Sequence, residues 1–86
     1  MPPMNTTFLL MAEFGQTDIP LAAIAERYLG LSDKQAATRA ARSQLPFPAY
    51  RAGTQKAPWL VRVTDLAQYL DQARERAAGD WRNRQV

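Results

Sequence analysis

A short segment in the middle of the chain is rich in cationic and hydrogen-bonding side chains. If residues 33–43 form a helix, about 100° of rotation per residue places six of them on one half and alanines 36, 37, 40 and 41 on the other. The six are Lys34, Gln35, Thr38, Arg39, Arg42 and Ser43. The pattern predicts a helix that packs closely through alanine and presents a polar, basic face.

The side-chain chemistry of this face suits the grooves of duplex DNA. Arg39 and Arg42 are the best candidates for reading base edges, because arginine pairs in a bidentate manner with guanine. Gln35 and Thr38 could read adenine or contact a thymine methyl group, and Lys34 and Ser43 are expected to bind phosphate. The alternative reading is a basic helix face that is only solvated.

Further basic and polar residues follow in a segment that reads as two strands and a loop. Thr54, Gln55 and Lys56 are predicted at the loop tip, where they could enter the adjacent minor groove or clamp the backbone. Arg51 and Arg62, on the flanking strands, are predicted to line phosphates. Taken alone, Lys56 also fits an ordinary loop lysine, and Trp59 is expected to pack in the hairpin or core.

The charge distribution along the chain is uneven although the net charge is only +3. Residues 34–64 contain six basic residues and no acidic residue, whereas the rest of the chain carries eight acidic and five basic residues, a sum of −3. Such asymmetry points to one face that meets a polyanion. A solvated basic surface without a partner would give the same pattern.

Composition argues against most enzymatic chemistry. The 86 residues include no cysteine and no histidine, so disulfides, thiolate metal sites and the commonest general base are excluded. We therefore expect no enzymatic activity, no cofactor, no metal site and no small-molecule substrate. No apolar run approaches the length of a membrane span and the N-terminus does not resemble a signal peptide, so we expect no membrane association and a cytoplasmic protein.

Three helices are predicted from apolar periodicity and end signals. The first covers residues 21–29, with Pro20 at its start and Gly30 as its left-handed cap. After a tight turn, Ser32 and Gln35 form a capping box that begins the helix over residues 33–43. The third covers residues 65–78, capped by Thr64 and ended by Gly79.

The remaining segments complete a fold prediction of the α+β class. Residues 6–14 favour a strand, although periodicity does not exclude a helix. Residues 45–51 and 59–63 are predicted to pair as a β-hairpin, the first of them an edge strand because of its two prolines. The order indicates a compact winged helix-turn-helix domain over residues 6–79, with three main helices and a β-hairpin as the wing. A flexible N-terminus is predicted over residues 1–5 and a polar C-terminal tail over residues 80–86.

The sequence also resembles the pyocin activator (PrtN) family of small bacterial and prophage regulators, over residues 4–78. The residues that carry the resemblance are Met4-Asn5-Thr6, Phe8-Leu9-Leu10-Met11-Ala12, Ile19-Pro20-Leu21, Tyr28, Leu31, Leu45-Pro46, Gln55-Lys56-Ala57, Asp65-Leu66-Ala67 and Tyr69-Leu70-Asp71. Residues 1–3 precede the usual start, and the chain after Ala78 departs from the pattern. The resemblance implies a DNA-binding activator of phage or bacteriocin genes in a bacterial host, associated with the nucleoid.

Two alternatives to the activator remain at this stage. Similar small winged proteins of prophages are excisionases, which bend attachment-site DNA during recombination. A protein-interaction module that binds a host factor would also present a basic face. If the protein is an activator or an excisionase, the expected partner is double-stranded DNA, bound by a homodimer or a cooperative homo-oligomer.

Overall fold

The computed structural model describes residues 5–85 of the chain. Within that range it consists of four α-helices, one π-helical segment and a two-stranded antiparallel sheet. The order of elements is α1 (Thr6–Phe14), β1 (Asp18–Pro20), α2 (Leu21–Ile24), the π-helical segment (Ala25–Leu29), α3 (Asp33–Ala41), β2 (Leu60–Arg62) and α4 (Val63–Arg84). The predicted α+β class is confirmed, whereas the count of three main helices is not. No helix in the described range is both long and apolar enough to span a membrane.

The first segment is a helix, so the prediction of a strand over residues 6–14 is wrong. Its start is fixed by Asn5, whose side chain accepts a hydrogen bond from the Phe8 amide at 2.7 Å. Gly15 ends it with a left-handed backbone, φ 67°. Residues 1–4, which include most of the predicted flexible N-terminus, lie outside the described residues.

The predicted pair of short helices with a tight turn is confirmed. Pro20 precedes α2, which continues through the π-helical segment to Gly30, a left-handed residue with φ 68°. The capping box is also present, because the Gln35 amide donates to Ser32 Oγ at 3.2 Å and the Ser32 amide donates to Gln35 Oε1 at 3.0 Å. Helix α3 ends at Ala41, two residues earlier than predicted.

The predicted hairpin does not form as a pair of strands. Instead, β2 pairs with β1, in a register that places Ile19 opposite Val61. Residues 45–51 form no strand, and only Tyr50 is bridged to Leu60, through backbone hydrogen bonds of 3.0 and 2.7 Å. Prolines 46 and 48 have no N–H to donate to a ladder, which limits the pairing. The specific winged arrangement is therefore not confirmed, although one residue pair closes the loop over residues 51–59.

Both predicted ends of the last helix are wrong. Helix α4 begins at Val63 with Arg62 as its cap residue, so Thr64 is helical and does not cap. Gly79 lies inside the helix, because one interior glycine costs only about 1 kcal/mol relative to alanine and does not end a helix of 22 residues. The predicted polar tail is therefore helical up to Arg84.

The core lies between the helices and one face of the small sheet. Ile19, Ile24, Val61, Val63 and Leu66 are its largest fully buried side chains. Helix α1 packs against α4, and α3 packs against α2 and the π-helical segment. The core thus fixes α3 from one side only and leaves its other side to solvent.

Candidate nucleic-acid interface

The outer face of α3 gathers five of the eleven predicted DNA-binding residues. Together with the segment that follows the helix, it forms a shallow depression, which we call the α3 surface. It is lined by Lys34, Gln35, Thr38, Arg39, Arg42 and Gln44, all of them exposed. Five of the six residues predicted on this helix are thus brought together.

The sixth predicted residue, Ser43, lies elsewhere. It follows the end of α3 with a left-handed backbone, φ 54°, and lines a different depression with residues 45–49. Gln44 takes its place on the α3 surface, because its amide donates to the Arg39 carbonyl at 2.8 Å and so keeps the chain close to the helix end. The sequence holds a signal for Gln44, an amide side chain two residues after Arg42, but a helix drawn to residue 43 ends before it.

The polar side chains on the α3 surface are partly committed to the helix itself. Gln35 uses Oε1 in the capping box, which leaves its amide N–H groups to donate. The Thr38 hydroxyl donates to the Lys34 carbonyl at 3.0 Å, so its proton is already used within the helix. Among residues 5–85, none of the ion pairs involves Lys34, Arg39 or Arg42. Three cations on this face therefore lack an acidic partner within the described structure.

Alanine allows α3 to approach the domain closely. Ala36 has no exposed surface and Ala40 is 8% exposed, whereas Ala37 is half-buried and Ala41 is exposed. Of the four alanines predicted to pack against the domain, only Ala36 and Ala40 are buried, and they form the main packing contact of α3. Packing at these two residues holds the helix in place and keeps Arg39 and Arg42 turned outward.

The loop over residues 51–59 lies beside the first turns of α3. Pro58 and Trp59 line the same depression as Asp33 and Ala37. Thr54, Gln55 and Lys56 are exposed in this loop, where the Ala57 amide donates to the Thr54 carbonyl at 2.9 Å in a tight turn. The predicted loop residues therefore occupy an exposed tip, which the structure connects to the α3 side of the domain.

Arg51 is held by an aromatic ring rather than by an acid. Its guanidinium lies over the Trp59 ring, 4.4 Å from the centroid. Arg51 Nε and Trp59 Nε1 are both buried without a hydrogen-bond partner among the described residues. Trp59 is half-buried against the core, as expected, and it also positions the arginine.

Arg62 differs from the other predicted phosphate ligands because it already has a protein partner. Its Nε donates to Asp18 Oδ1 at 2.6 Å, and the Tyr50 hydroxyl donates to the same oxygen. These hydrogen bonds, that from Tyr50 first, lower the pKa of the Asp18 carboxyl below its usual value. The Asp18 carboxylate in turn raises the pKa of Tyr50. The cluster ties β1, β2 and the start of the loop together, so Arg62 serves the fold first.

Comparison with known proteins gives one match. The model of the family described as pyocin activator protein PrtN matches residues 6–77. No curated protein and no solved structure matches the chain. The matched range includes α1, the α3 surface, the loop and the first two-thirds of α4, which is most of the chain. The chain therefore belongs to the pyocin activator (PrtN) family.

Proposed function

We propose that the chain is a DNA-binding transcriptional activator of phage or bacteriocin genes that inserts α3 into the major groove. The observation that carries the proposal is the α3 surface, a face with three cations and two amides on a helix whose other face is buried through alanine. The major groove, about 12 Å wide, accepts a helix of about 10–12 Å diameter. Neither a catalytic group nor a cofactor is needed for this function, so we propose that the protein acts by recruitment or by DNA bending.

The distribution of charge on α3 indicates which part of the helix lies nearest to DNA. Asp33 is exposed in the first turn, where its carboxylate repels phosphate. Arg39 lies in the last turn of the helix, Arg42 is the residue that follows its end, and both are free of ion pairs within residues 5–85. We therefore place base contacts at these two arginines, with Gln35 and Thr38 next to them and Lys34 on the backbone.

The loop over residues 51–59 provides a second contact beside α3. Its exposed tip carries Lys56, with Thr54 and Gln55 as hydrogen-bonding neighbours. Arg51, stacked on Trp59, has a defined position before any ligand arrives, which lowers the entropic cost of a phosphate contact. In this proposal the loop binds the DNA backbone or the minor groove next to the site read by α3.

Fluorescence anisotropy with a labelled DNA duplex tests the proposal. The double variant Arg39→Ala/Arg42→Ala is expected to bind at least tenfold more weakly, since each bidentate contact contributes about 1–3 kcal/mol. The matched control is Arg74→Ala/Arg76→Ala, which removes the same charge from exposed positions of α4. The control is expected to change affinity by less than about threefold. Equal losses of affinity in both double variants would mean that only the net charge of the protein matters. No loss of affinity in either would show that α3 does not contact DNA.

The activator role has its own test. The family's description names an activator, and we carry that role over to this chain as part of the proposal. A reporter driven by a promoter that the protein binds should be switched on by the wild type and not by Arg39→Ala/Arg42→Ala. A promoter that stays silent with the wild type bound to it would contradict activation while leaving DNA binding intact.

A further inference from the structure

The exposed large apolar side chains of the described residues are confined to two helices. Phe8, Leu9 and Met11 lie on α1 and are 55%, 49% and 43% exposed, and Trp81, near the end of α4, is 63% exposed. The α3 surface and the loop have none. Such a concentration on one pair of helices calls for a partner, since small soluble proteins rarely leave extended apolar surface uncovered.

Helix α1 is apolar on its outer side as well as on its inner side. Leu10 is its buried residue, while Phe8 and Ala12 lie one turn apart on the opposite side. Its single charged residue, Glu13, is already paired with Arg27. A helix that is apolar all round is normally buried on both sides.

Helix α4 extends well beyond the part that α1 covers. The two helices run antiparallel, since the Thr6 hydroxyl donates to Asp71 at one end and the Val63 amide donates to the Thr17 carbonyl at the other. Residues 72–84 therefore continue past the start of α1, for about 20 Å at 1.5 Å per residue.

This extension continues the apolar side of α4. Ala73, Ala77 and Trp81 follow each other at intervals of four residues, on the side of the helix that carries the buried Leu66 and the partly buried Leu70. The opposite side carries the Glu75–Arg82 ion pair, at 3.0 Å, and faces solvent. Within residues 5–85, the side that faces the core in the first half of α4 is thus left uncovered around Ala77 and Trp81.

We propose that a second copy of this chain covers both surfaces, in a two-fold dimer in which α1 of each copy packs on the extension of its partner's α4. The shapes match, because α1 presents large side chains, Phe8 and Met11, and the extension presents two alanines that leave room for them. The contact is reciprocal, so Phe8, Leu9, Met11 and Trp81 of both copies are covered at once.

The area available agrees with what a stable dimer requires. The exposed fractions of Phe8, Leu9, Met11 and Trp81 amount to about 400 Å² of apolar surface per copy. A standard interface buries about 800 Å² per partner, of which about 56–65% is apolar. The four side chains with the neighbouring alanines thus approach the requirement, whereas a polyanion has no cation on α1 to bind. The inference is independent of the proposed function, because it involves neither α3 nor the loop.

Sedimentation equilibrium of the full chain tests whether the dimer exists. The wild type is expected at about twice its mass of 9.7 kDa at micromolar concentration. Phe8→Glu and Trp81→Glu are expected to be monomers that retain the helical circular dichroism of the wild type, because both side chains are exposed. Gln72→Glu, on the other side of α4, is the matched control and should remain dimeric. A wild type that is monomeric up to about 100 µM would overturn the proposal, as would a dimer that neither variant weakens.

Disulfide cross-linking tests the arrangement, since the chain has no cysteine of its own. Within one copy, residue 12 of α1 is level with about residue 65 of α4, and residue 77 lies about 18 Å further along α4. Cysteines at positions 12 and 77 are therefore too far apart for a disulfide within one chain. A mixture of the single variants Ala12→Cys and Ala77→Cys should give a cross-linked pair under mild oxidation, and a mixture of Ala12→Cys with Gln72→Cys should not. Cross-linking of Ala77→Cys alone would indicate that the α4 helices pair with each other and would overturn the reciprocal arrangement.

Discussion

Replacement of Ala36 by leucine tests the packing of α3 against α2 most directly. Ala36 has no exposed surface and lies on the side of α3 that packs against α2. Leucine adds three carbon atoms at a place where the interior has no room for them, so α3 has to move away from α2. Overpacking of this kind costs about 1–3 kcal/mol. For a domain of this size, each kilocalorie lowers Tm by about 4–8 °C, so we expect Ala36→Leu to melt about 5–20 °C below the wild type.

A matched substitution on the same helix gives the control. Ala41 is exposed, although the sequence pattern placed it on the same face as Ala36. Ala41→Leu should change the free energy of unfolding by less than about 0.5 kcal/mol. Thermal and urea unfolding followed by far-ultraviolet circular dichroism measure both variants. Equal stability of the two would refute the close packing of α3 on the domain through Ala36.

Two further predictions concern the hydrogen-bonded cluster at the sheet and the backbone at Gly30 and Gly79. The lowered pKa of Asp18 stabilises the fold at pH above its unfolded value, near 4, and this contribution is lost as the pH falls through the folded pKa. Asp18→Asn should therefore flatten the acid limb of the plot of stability against pH, and Tyr50→Phe should shift that limb to higher pH. An unchanged plot for both variants would contradict the hydrogen bonds of Tyr50 and Arg62 to Asp18. Gly30→Ala should destabilise by about 1–2 kcal/mol because residue 30 has φ 68°, whereas Gly79→Ala inside α4 should stabilise by about 0.5–1 kcal/mol, as its Cβ would contact only the end of Arg82 at 4.0 Å. Chemical denaturation measures both glycine variants, and the same sign for the two would show that one of these backbone assignments is wrong.

The elements that the sequence predicted well are those with local end signals. Pro20, Gly30 and the Ser32–Gln35 capping box each act within a few residues, so α2 and the start of α3 could be recognised without knowledge of the rest of the fold. The predicted polar face of α3 follows from the same local reasoning. Four of its six residues share one surface because helical periodicity places them there, and Arg42, directly after the helix end, joins them.

Two of the errors arise where contacts between distant parts of the chain decide the structure. Helix α1 has apolar residues on all sides, so it shows no helical period and its β-branched start suggested a strand. The partner of β2 is a strand more than 35 residues earlier, β1, and nothing local to residues 60–62 indicates that choice. The other two errors are local. Gly79 predicts a helix end, but the cost of one interior glycine, about 1 kcal/mol, does not end α4. Gln44 was missed because its place on the α3 surface depends on a turn after the helix rather than on the helix.

The salt dependence of duplex binding tests the role of the α3 surface most directly. Counterion release gives a slope of about −0.9 in log K against log salt concentration for each phosphate neutralised. With Lys34, Arg51 and Lys56 assigned to the DNA backbone, we expect a slope between about −2 and −3 for the wild type and a slope shallower by about one for Lys34→Ala. A wild-type affinity that stays constant from low to moderate salt, or equal slopes for the two proteins, would contradict duplex binding through α3.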